Sequence, residues 1–309
     1  MTASTPSHDV AGRTVLVTGG AGFVGSHLAR ALLPDNEVVV LDDLSTGSRA
    51  AVPDGARLVV GDVRDRPLVA SLVAAADLVF HQAAVVSVER SVTAPAETHA
   101  VNATATLGLL EAARGASTRV VLASSAAVYG RPESVPQSED DRLAPESPYG
   151  VAKLAADRYA RVYTSLYGVP TVSLRYFNVY GPRPDAGGDG GVVEQFLERA
   201  RAGEPIPVHG DGSQTRDFVH VRDVVRANLA AATTDRVGRA FNVGTGESLS
   251  IADLAGLVAA AADREVRVVH TEAREGDVDH SRADTTATRE LLGFEATVPP
   301  EEGLGGLLD

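Results

Sequence analysis

The chain has 309 residues, of which 44% are hydrophobic, a formal net charge of -13 at pH 7 and no cysteine. This charge argues against non-specific binding to nucleic acid, and the missing cysteines exclude disulfides and thiolate nucleophiles. No apolar run approaches the roughly 18 residues of a membrane span, and residues 1–10 lack the apolar stretch of a signal peptide, so we predict a cytoplasmic protein without membrane contact.

The first predicted strand, residues 14–18, leads into a glycine-rich turn and then into a helical stretch. Gly19, Gly22 and Gly25 are spaced three apart in this turn. Between a strand and a helix, that spacing lets the backbone approach a pyrophosphate at the helix N-terminus. Glycine turns also occur in α/β proteins that bind no nucleotide, so the prediction of a dinucleotide site depends on the residues at the end of the second strand.

The second predicted strand, residues 37–41, ends in two carboxylates, Asp42 and Asp43. The adenosine ribose of a dinucleotide is held by an acidic residue about 20 positions after the glycines, which is near Asp42. A carboxylate there accepts hydrogen bonds from the ribose hydroxyls and repels a 2′-phosphate. The sequence therefore predicts NAD, rather than NADP, as the cofactor.

Further short apolar runs predict strands at residues 58–60, 77–81, 119–124, 171–176 and 240–244. Their alternation with helical stretches predicts an α/β fold built on a Rossmann-like doubly wound parallel sheet. Ligands bind beyond the carboxyl ends of such strands. Asp62 follows the third strand and is placed to meet an adenine amino group or, equally, to cap a helix. The small Ala83 after the fourth strand permits close approach of the cofactor.

Lys153 is the only lysine of the chain, against 27 arginines, and it lies four residues after Tyr149. Ser147 and Pro148 suit the start of a helix and Gly168 suits its end, so both residues are predicted on one helical face. An ammonium beside a tyrosine favours the phenolate, which predicts a lowered Tyr149 pKa and a base that works near neutral pH. A surface lysine beside a tyrosine on an amphipathic helix is the alternative.

The amino-acid composition changes beyond residue 180, where long Gly/Pro-rich stretches flank a helix predicted near residues 192–202. We place a smaller C-terminal substrate domain here, mainly residues 177–309. The NAD-binding domain is predicted over residues 11–176, with a returning segment near residues 213–245 that adds the last strand. The two domains therefore interleave in sequence.

Five motifs occur in order along the chain: Thr18-Gly19-x-x-Gly22-x-x-Gly25, His81-x-Ala83-Ala84, Ser124-Ser125-Ala126-Ala127-Val128-Tyr129-Gly130, Tyr149-x-x-x-Lys153 and Arg175-Tyr176-Phe177-Asn178. Together they resemble the extended short-chain dehydrogenase/reductase family, and specifically its nucleotide-sugar 4-epimerases of the UDP-glucose/UDP-galactose type. The similarity runs from about Arg13 to Phe294. It implies an enzyme that inverts carbon 4 of a UDP-hexose through a 4-keto sugar, with a bound NAD.

The resemblance implies a role for each matched residue. Tyr149 is the base, Lys153 lowers its pKa and holds the nicotinamide ribose, and Ser125 hydrogen-bonds the hexose 4-hydroxyl. The residues implied at the cofactor, besides Tyr149 and Lys153, are Gly19, Gly22, Phe23, Val24, Gly25, Asp42, Asp43, Asp62, Val63, Ala83 and Asn102. Those implied at the substrate are Ser87, Ser125, Tyr149, Asn178, Val192, Arg216, Arg274, Asp277 and Ser281.

The nearest alternatives are the 4,6-dehydratases and decarboxylases of the same superfamily, which carry acidic residues after the catalytic Ser or Thr. Here those positions are Ala126 and Ala127, which cannot transfer protons, so epimerisation is favoured. A UDP-glucuronate 4-epimerase remains open, because Arg183 could meet a carboxylate, although Asn178 stands where those enzymes tend to carry threonine. A non-catalytic NAD-binding regulator is a more remote alternative, because the catalytic set is complete.

The resemblance also implies a homodimer. In this family the helices predicted at residues 97–114 and 149–167 pair into a four-helix bundle. Tyr159, Tyr163 and Tyr167 form an aromatic stripe on the second helix, which core packing would explain equally well.

In similar epimerases, the residue four positions after the late aspartate lines the pocket near the sugar 2-substituent. That residue is Ser281, which is smaller by a whole ring than the tyrosine that restricts the pocket to plain hexoses. We therefore expect UDP-GlcNAc and UDP-GalNAc to be accepted as well as UDP-glucose and UDP-galactose. Ser87 could donate to the acetyl carbonyl or be an ordinary loop serine. The eight histidines have no ligand spacing, so no metal site is expected.

Overall fold

The computed structural model describes residues 10–183, 191–263, 265–273 and 278–307. Its strands are β1 (Thr14–Thr18), β2 (Glu37–Asp42), β3 (Arg57–Val60), β4 (Leu78–His81), β5 (Arg119–Ser125), β6 (Thr171–Tyr176), β7 (Asn178–Tyr180), β8 (Ile206–His209), β9 (Thr215–Arg216), β10 (Phe218–His220), β11 (Arg239–Val243), β12 (Leu249–Ser250) and β13 (Val268–Thr271). Its α-helices are α1 (Phe23–Leu32), α2 (Arg66–Ala74), α3 (Val88–Thr93), α4 (Pro95–His99), α5 (Ala105–Ala116), α6 (Pro148–Tyr167), α7 (Val192–Ala202), α8 (Val221–Thr233), α9 (Ile251–Ala261) and α10 (Pro300–Gly305). Short 3-10 turns occur at Arg49–Ala51 and Ala126–Val128, and π-helical turns at Ala100–Thr104 and Thr288–Leu292.

The largest sheet has seven strands, all parallel, in the order β11-β6-β5-β4-β1-β2-β3. The chain begins near the middle at β1, continues outward through β2 and β3, and then crosses back to β4 on the other side of β1. The strand order reverses between β1 and β4, so a crevice opens there beyond the carboxyl ends of the strands. This topology confirms the predicted doubly wound parallel sheet.

Apart from the edge strand β3, both faces of the sheet are buried, which explains why its strands are nearly continuous apolar runs. Val15 and Val17 belong to the apolar layer formed with α1 and α8, whereas Leu16 belongs to the layer formed with α2, α5 and α6. This alternation follows from the two-residue repeat of a strand. The two layers hold the strand ends, on which the site is built, in fixed positions.

A separate apolar cluster holds together the smaller part of the protein. It contains Phe196 and Leu197 of α7, Leu254 of α9 and Ile206 of β8, all of them buried. Two-stranded ladders, β7–β10, β8–β13 and β9–β12, connect segments in this part of the chain. None of the helices within the described ranges has the length and apolarity needed to cross a membrane.

Helix α6 begins and ends at the predicted residues. The Ser147 side chain accepts a hydrogen bond from Gly150 N at 3.1 Å, and Pro148 takes the first helical position. Gly168 ends the helix with φ +71°, a left-handed conformation that glycine adopts without strain. These caps place Tyr149 in the first turn of the helix.

The helix predicted over residues 97–114 is interrupted in the structure. Helix α4 passes through the π-helical turn Ala100–Thr104 into α5, which ends at Ala116. A π turn holds one extra residue, a change that the side-chain period of the sequence does not reveal. Asn102 lies inside this turn.

Candidate active site

The crevice between β1 and β4 opens into a cleft of about 410 Å³, which runs from the glycine turn to the end of β5. Gly19 has φ +71°, and a Cβ at this residue would lie 2.6 Å from Ala83 N. A Cβ at Gly25 would collide with the carbonyl oxygen of Gly19. Both positions therefore require glycine, and backbone atoms form the wall of the cleft here.

Helix α1 starts at this wall. Gly22 is its N-cap, no side chain of the described residues caps it, and its first turn contains no acidic residue. Gly22, Phe23, Val24 and Gly25 all line the cleft. Backbone amides at such a helix start favour a bound anion.

Asp42 and Asp43, at the end of β2, line the same cleft. Asp42 is buried, and its two carboxylate oxygens accept hydrogen bonds from Ala21 N and Leu44 N, each at 2.9 Å. Burial raises the pKa of Asp42, and these two hydrogen bonds oppose the rise. The exposed Asp43 accepts from Ser45 N at 3.0 Å. Each Asp42 oxygen keeps a second lone pair that could accept from a ribose hydroxyl.

Asp62 and Val63 line the cleft beyond β3. The Asp62 carboxylate accepts from Arg64 Nε at 2.9 Å and from Arg64 N at 2.8 Å, and the side-chain hydrogen bond to Arg64 lowers the pKa of Asp62. The N-cap of α2 is Asp65, which accepts from Leu68 N at 3.1 Å. The helix-cap alternative for Asp62 is therefore wrong, and its carboxylate lies beside the cleft as an ion pair.

Asn102 holds the loop that follows β4. Its Oδ1 accepts from Val85 N and its Nδ2 donates to Val85 O, both at 2.8 Å. Val85 and Ala83 line the cleft, whereas Asn102 is buried behind them. The structure thus places Asn102 one layer away from the cofactor site, where it shapes the wall.

Ser125, Tyr149 and Lys153 meet at the end of β5, and all three line the cleft. Ser125 is the last residue of the strand, and its side chain lies close enough to Tyr149 to lower the pKa of that hydroxyl. Lys153 is buried, its Nζ donates to Ala123 O at 2.9 Å, and the same Nζ lies 6.0 Å from the centre of the Tyr149 ring. The predicted helical face and the predicted serine partner therefore form one constellation.

The predicted lowering of the Tyr149 pKa is wrong for the protein as it stands. Burial raises the pKa of Tyr149, and the hydrogen bond with Ser125 only partly opposes that rise. Burial also lowers the pKa of Lys153 to about 8. The ammonium is directed at the Ala123 carbonyl, so the loss of solvation outweighs its attraction for a phenolate.

The residues predicted at the substrate lie mainly outside this cleft. Asn178 N and Nδ2 donate to Asp217 O at 2.9 and 3.3 Å, and the neighbouring Arg216 donates from Nη1 to Thr215 O at 2.9 Å. Val192 is the first residue of α7. Arg274 and Asp277 lie outside the described residues, so their predicted roles have no structural account.

Ser281 and Ser87, predicted near the sugar 2-substituent, both have protein partners. Ser281 is buried, and its Oγ donates to Gln137 Oε1 at 3.1 Å. Ser281 N donates to Thr215 O at 3.1 Å, which brings this segment beside Arg216. Ser87 is the N-cap of α3 and accepts from Arg90 N at 3.1 Å.

Comparisons with known proteins agree with this arrangement. The model of the NAD dependent epimerase/dehydratase family matches residues 15–244. The chain belongs to this family. It is 41% identical over 298 residues to a UDP-glucose 4-epimerase of Mycolicibacterium smegmatis, covering 94% of this chain and 95% of the relative. NAD is therefore the cofactor, as the carboxylate at Asp42 predicts, and the resemblance drawn from the motifs is confirmed.

Two solved structures of relatives have the same fold over nearly the whole chain. A UDP-glucose 4-epimerase of Thermotoga maritima, determined with UDP-glucose, is 37% identical with a TM-score of 0.90, over 96% of this chain and 97% of that one. A UDP-N-acetylglucosamine 4-epimerase of Methanobrevibacter ruminantium is 32% identical with a TM-score of 0.92, over 97% and 98%. Decarboxylases and dehydratases of sugar nucleotides also match, so family membership alone leaves the reaction open.

The structure of this family member contains a hydrogen-bonded chain that the motifs do not reveal. Thr106 Oγ1 donates to Asn102 O and therefore accepts from His81 Nε2 at 2.9 Å, which leaves His81 Nδ1 to accept from Thr18 Oγ1 at 2.7 Å. Burial lowers the pKa of His81 to about 3, so the ring is neutral. These three hydrogen bonds link β1 and β4 to the π turn beneath the cleft. A histidine at the end of a buried strand was the available signal, but its partners come from distant segments.

Arg183 is a further cleft residue whose place the sequence leaves open. Its guanidinium lies 4.6 Å from the centre of the Phe23 ring, and its Nε lies 3.9 Å from Glu194 Oε2. Both Arg183 and Phe23 line the cleft. A cation thus lies close to the anion-favouring start of α1.

Proposed function

We propose that the protein is an NAD-dependent UDP-sugar 4-epimerase that acts on the UDP-glucose/UDP-galactose pair. The observation that carries this proposal is the meeting of Ser125, Tyr149 and Lys153 at the cleft. A hydroxyl pair next to a buried ammonium suits the removal of a proton from a sugar hydroxyl. The names of the matched relatives support the same substrate class.

The residues around the cleft fit NAD. Glycine at residues 19 and 25 gives the backbone access that a pyrophosphate needs, and the uncapped start of α1 favours its charge. Asp42 lies where ribose hydroxyls would be held, and Lys153 lies at the other end of the cleft. When bound, NAD+ supplies a hydride acceptor whose positive charge also favours the Tyr149 phenolate.

Tyr149 would take the proton of the sugar 4-hydroxyl, and Ser125, which lies beside it, would share the proton path. Lys153, fixed by Ala123 O, keeps a positive charge close to the phenolate that forms. The 4-keto sugar would turn over while its nucleotide stays anchored. Carbon 4 would then regain a hydride on its other face, and Tyr149 would return the proton to the oxygen. Because the hydride and the proton are both returned, the cofactor would be regenerated and could remain bound throughout.

Ala126 and Ala127 favour this reaction over elimination or decarboxylation. They form the short turn after Ser125, and Ala127 N donates to Ser125 Oγ at 3.1 Å. Their methyl groups cannot act as the extra acid or base that elimination requires. Arg216, Asn178 and the residues outside the described ranges, Arg274 and Asp277, are proposed to hold the UDP diphosphate and ribose. We also propose a cytoplasmic homodimer.

The test is to incubate the purified protein with UDP-galactose, UDP-GlcNAc and UDP-glucuronate separately and to identify the sugars formed. We expect UDP-glucose from UDP-galactose, and its absence would contradict the proposed pair. Inversion of UDP-glucuronate alone would favour the uronate epimerase. A 4-keto-6-deoxy sugar or a pentose product would show that elimination or decarboxylation occurs without an acid or base at residues 126 and 127.

A further inference from the structure

Three successive turns of α6 contact three consecutive residues of β5. Tyr149 lies beside Ser125, whose side chain lowers the pKa of the tyrosine. Lys153 Nζ donates to Ala123 O at 2.9 Å, and Asp157 Oδ2 accepts from Ser124 Oγ at 3.2 Å. The three helical residues are spaced four apart and therefore share one face. The last contact, through Asp157, has no part in the proposed reaction.

Arg175 of β6 reaches the same carboxylate from the sheet. Its Nε donates to Asp157 Oδ2 at 3.0 Å, while its Nη1 donates to the Tyr129 hydroxyl at 2.9 Å and to Glu139 O at 3.0 Å. Arg175 lies opposite Ser124 in the ladder between β5 and β6. The Arg175 and Asp157 side chains are both 0% exposed. One arginine thus links α6, the turn after β5 and the segment that leads back to α6.

Stability alone does not account for this pair. Burying two charges costs desolvation free energy, and apolar residues of similar volume often stabilise a protein as well or better. Asp157 Oδ1 and Arg175 Nη2 have no hydrogen-bond partner among the described residues, so the pair recovers only part of that free energy. Apolar side chains could not fix the position of the helix along the strand, because that requires directional N–H···O bonds.

We propose that Arg175 and Asp157 are positioning residues that set the place of α6 along β5, and thereby the alignment of the Tyr149 and Ser125 hydroxyls. This inference rests on the proposed function, in which a proton passes between those hydroxyls. A slide of α6 by one residue is about 1.5 Å, which is enough to break a hydrogen bond of ordinary length. A misplacement of about 1 Å at a reacting group can cost about a hundredfold in rate.

The matched variants are Asp157→Asn and Asp223→Asn. Asp223 of α8 is also fully buried and accepts from an arginine, Arg226 Nη1, at 2.7 Å. It braces the backbone of Thr297 and Val298 instead of the catalytic helix. Both variants should lose stability. Only Asp157→Asn should reduce kcat for UDP-galactose beyond about tenfold, with bound NAD retained and KM changed by less than about threefold.

A second measurement needs no turnover. The tyrosinate difference spectrum between each protein and its Tyr149→Phe derivative gives the pKa of Tyr149. The groups near it are Ser125 from β5, Lys153 from α6, and the neutral His81 of β4, which interacts with Lys153. Because the Ser125 hydrogen bond lowers the Tyr149 pKa, misalignment should raise it in Asp157→Asn and leave it unchanged in the control.

The double variant Arg175→Met/Asp157→Leu separates packing from direction. It should unfold at a denaturant concentration close to that of the wild type, or higher, and still show the reduced kcat and the raised Tyr149 pKa. A double variant as active as the wild type would overturn the positioning role. An unchanged Tyr149 pKa in both Asp157→Asn and the double variant would overturn it as well. If the wild type converts no UDP-sugar, the proposed function fails, but the tyrosinate titration still decides this inference.

Discussion

Replacing Asn102 by alanine tests whether the π turn shapes the cofactor cleft. The substitution removes two hydrogen bonds of 2.8 Å and leaves the N–H and C=O groups of Val85 without their partner. An unsatisfied buried polar group costs about 1–3 kcal/mol, so the loss of both bonds should lower the free energy of unfolding by about 2–6 kcal/mol. The loop around Val85 lines the cleft. If its loosening costs about 1.4 kcal/mol of binding, the Kd for NAD rises about tenfold.

Asn36→Ala is the matched control for this experiment. Asn36 Nδ2 donates to Val10 O at 2.6 Å and to Leu32 O at 2.9 Å, so it also bridges two backbone segments. Asn36 is not among the residues that line the cleft. Denaturant unfolding should show destabilisation in both variants, whereas calorimetric titration with NAD should show weaker binding only in Asn102→Ala. Equal NAD affinities in the two variants would refute the role given to the π turn.

Three further predictions concern charge, assembly and substrate size. Lys153→Met should abolish turnover with little loss of stability at pH 7, because burial disfavours this ammonium when its pKa is about 8 in the folded protein. This cost to the stability of the wild type is fully present below pH 8 and disappears as the pH rises to about 10.5, the ordinary pKa of lysine. Any stability advantage of Lys153→Met over the wild type in denaturant unfolding should therefore narrow between these two pH values. An advantage that stays constant would contradict the prediction. Light scattering should find a dimer for the wild type and a monomer for Leu166→Arg, which changes the exposed face of α6. A wild-type mass of 32.0 kDa would exclude the dimer. Ser281→Tyr should lose activity on UDP-GlcNAc and keep it on UDP-galactose, with a lower unfolding midpoint because a tyrosine replaces a buried serine. A wild type that ignores UDP-GlcNAc would show that Ser281 is not the gate.

The sequence predicts the scaffold well where local signals decide the structure. Strands β1 and β6 have the predicted bounds, because buried β-branched runs leave few alternatives. The Ser147 cap and the Gly168 end fix α6 at the predicted residues for equally local reasons. The contacts among Ser125, Tyr149 and Lys153 follow from these elements, since a parallel sheet gathers its carboxyl ends on one side.

Features that the sequence does not predict depend on distances between remote segments. Burial raises the Tyr149 pKa and Ser125 only partly opposes that rise, while the Lys153 ammonium is held by a strand carbonyl. The tyrosines of the aromatic stripe on α6 also lie in environments that the sequence does not predict. Tyr163 is buried and hydrogen-bonded to Glu111, whereas Tyr159 is 40% exposed. Helical spacing alone does not distinguish these two environments.

The central claim is that Tyr149 moves the proton that allows carbon 4 of a UDP-hexose to invert. The most direct measurement compares UDP-glucose formation from UDP-galactose by the wild type and by Tyr149→Phe, with NAD content and unfolding midpoint checked in both. We predict that the variant keeps its fold and its NAD while turnover falls by at least about a hundredfold, the low end for a general base. Near-wild-type turnover in Tyr149→Phe would contradict the mechanism.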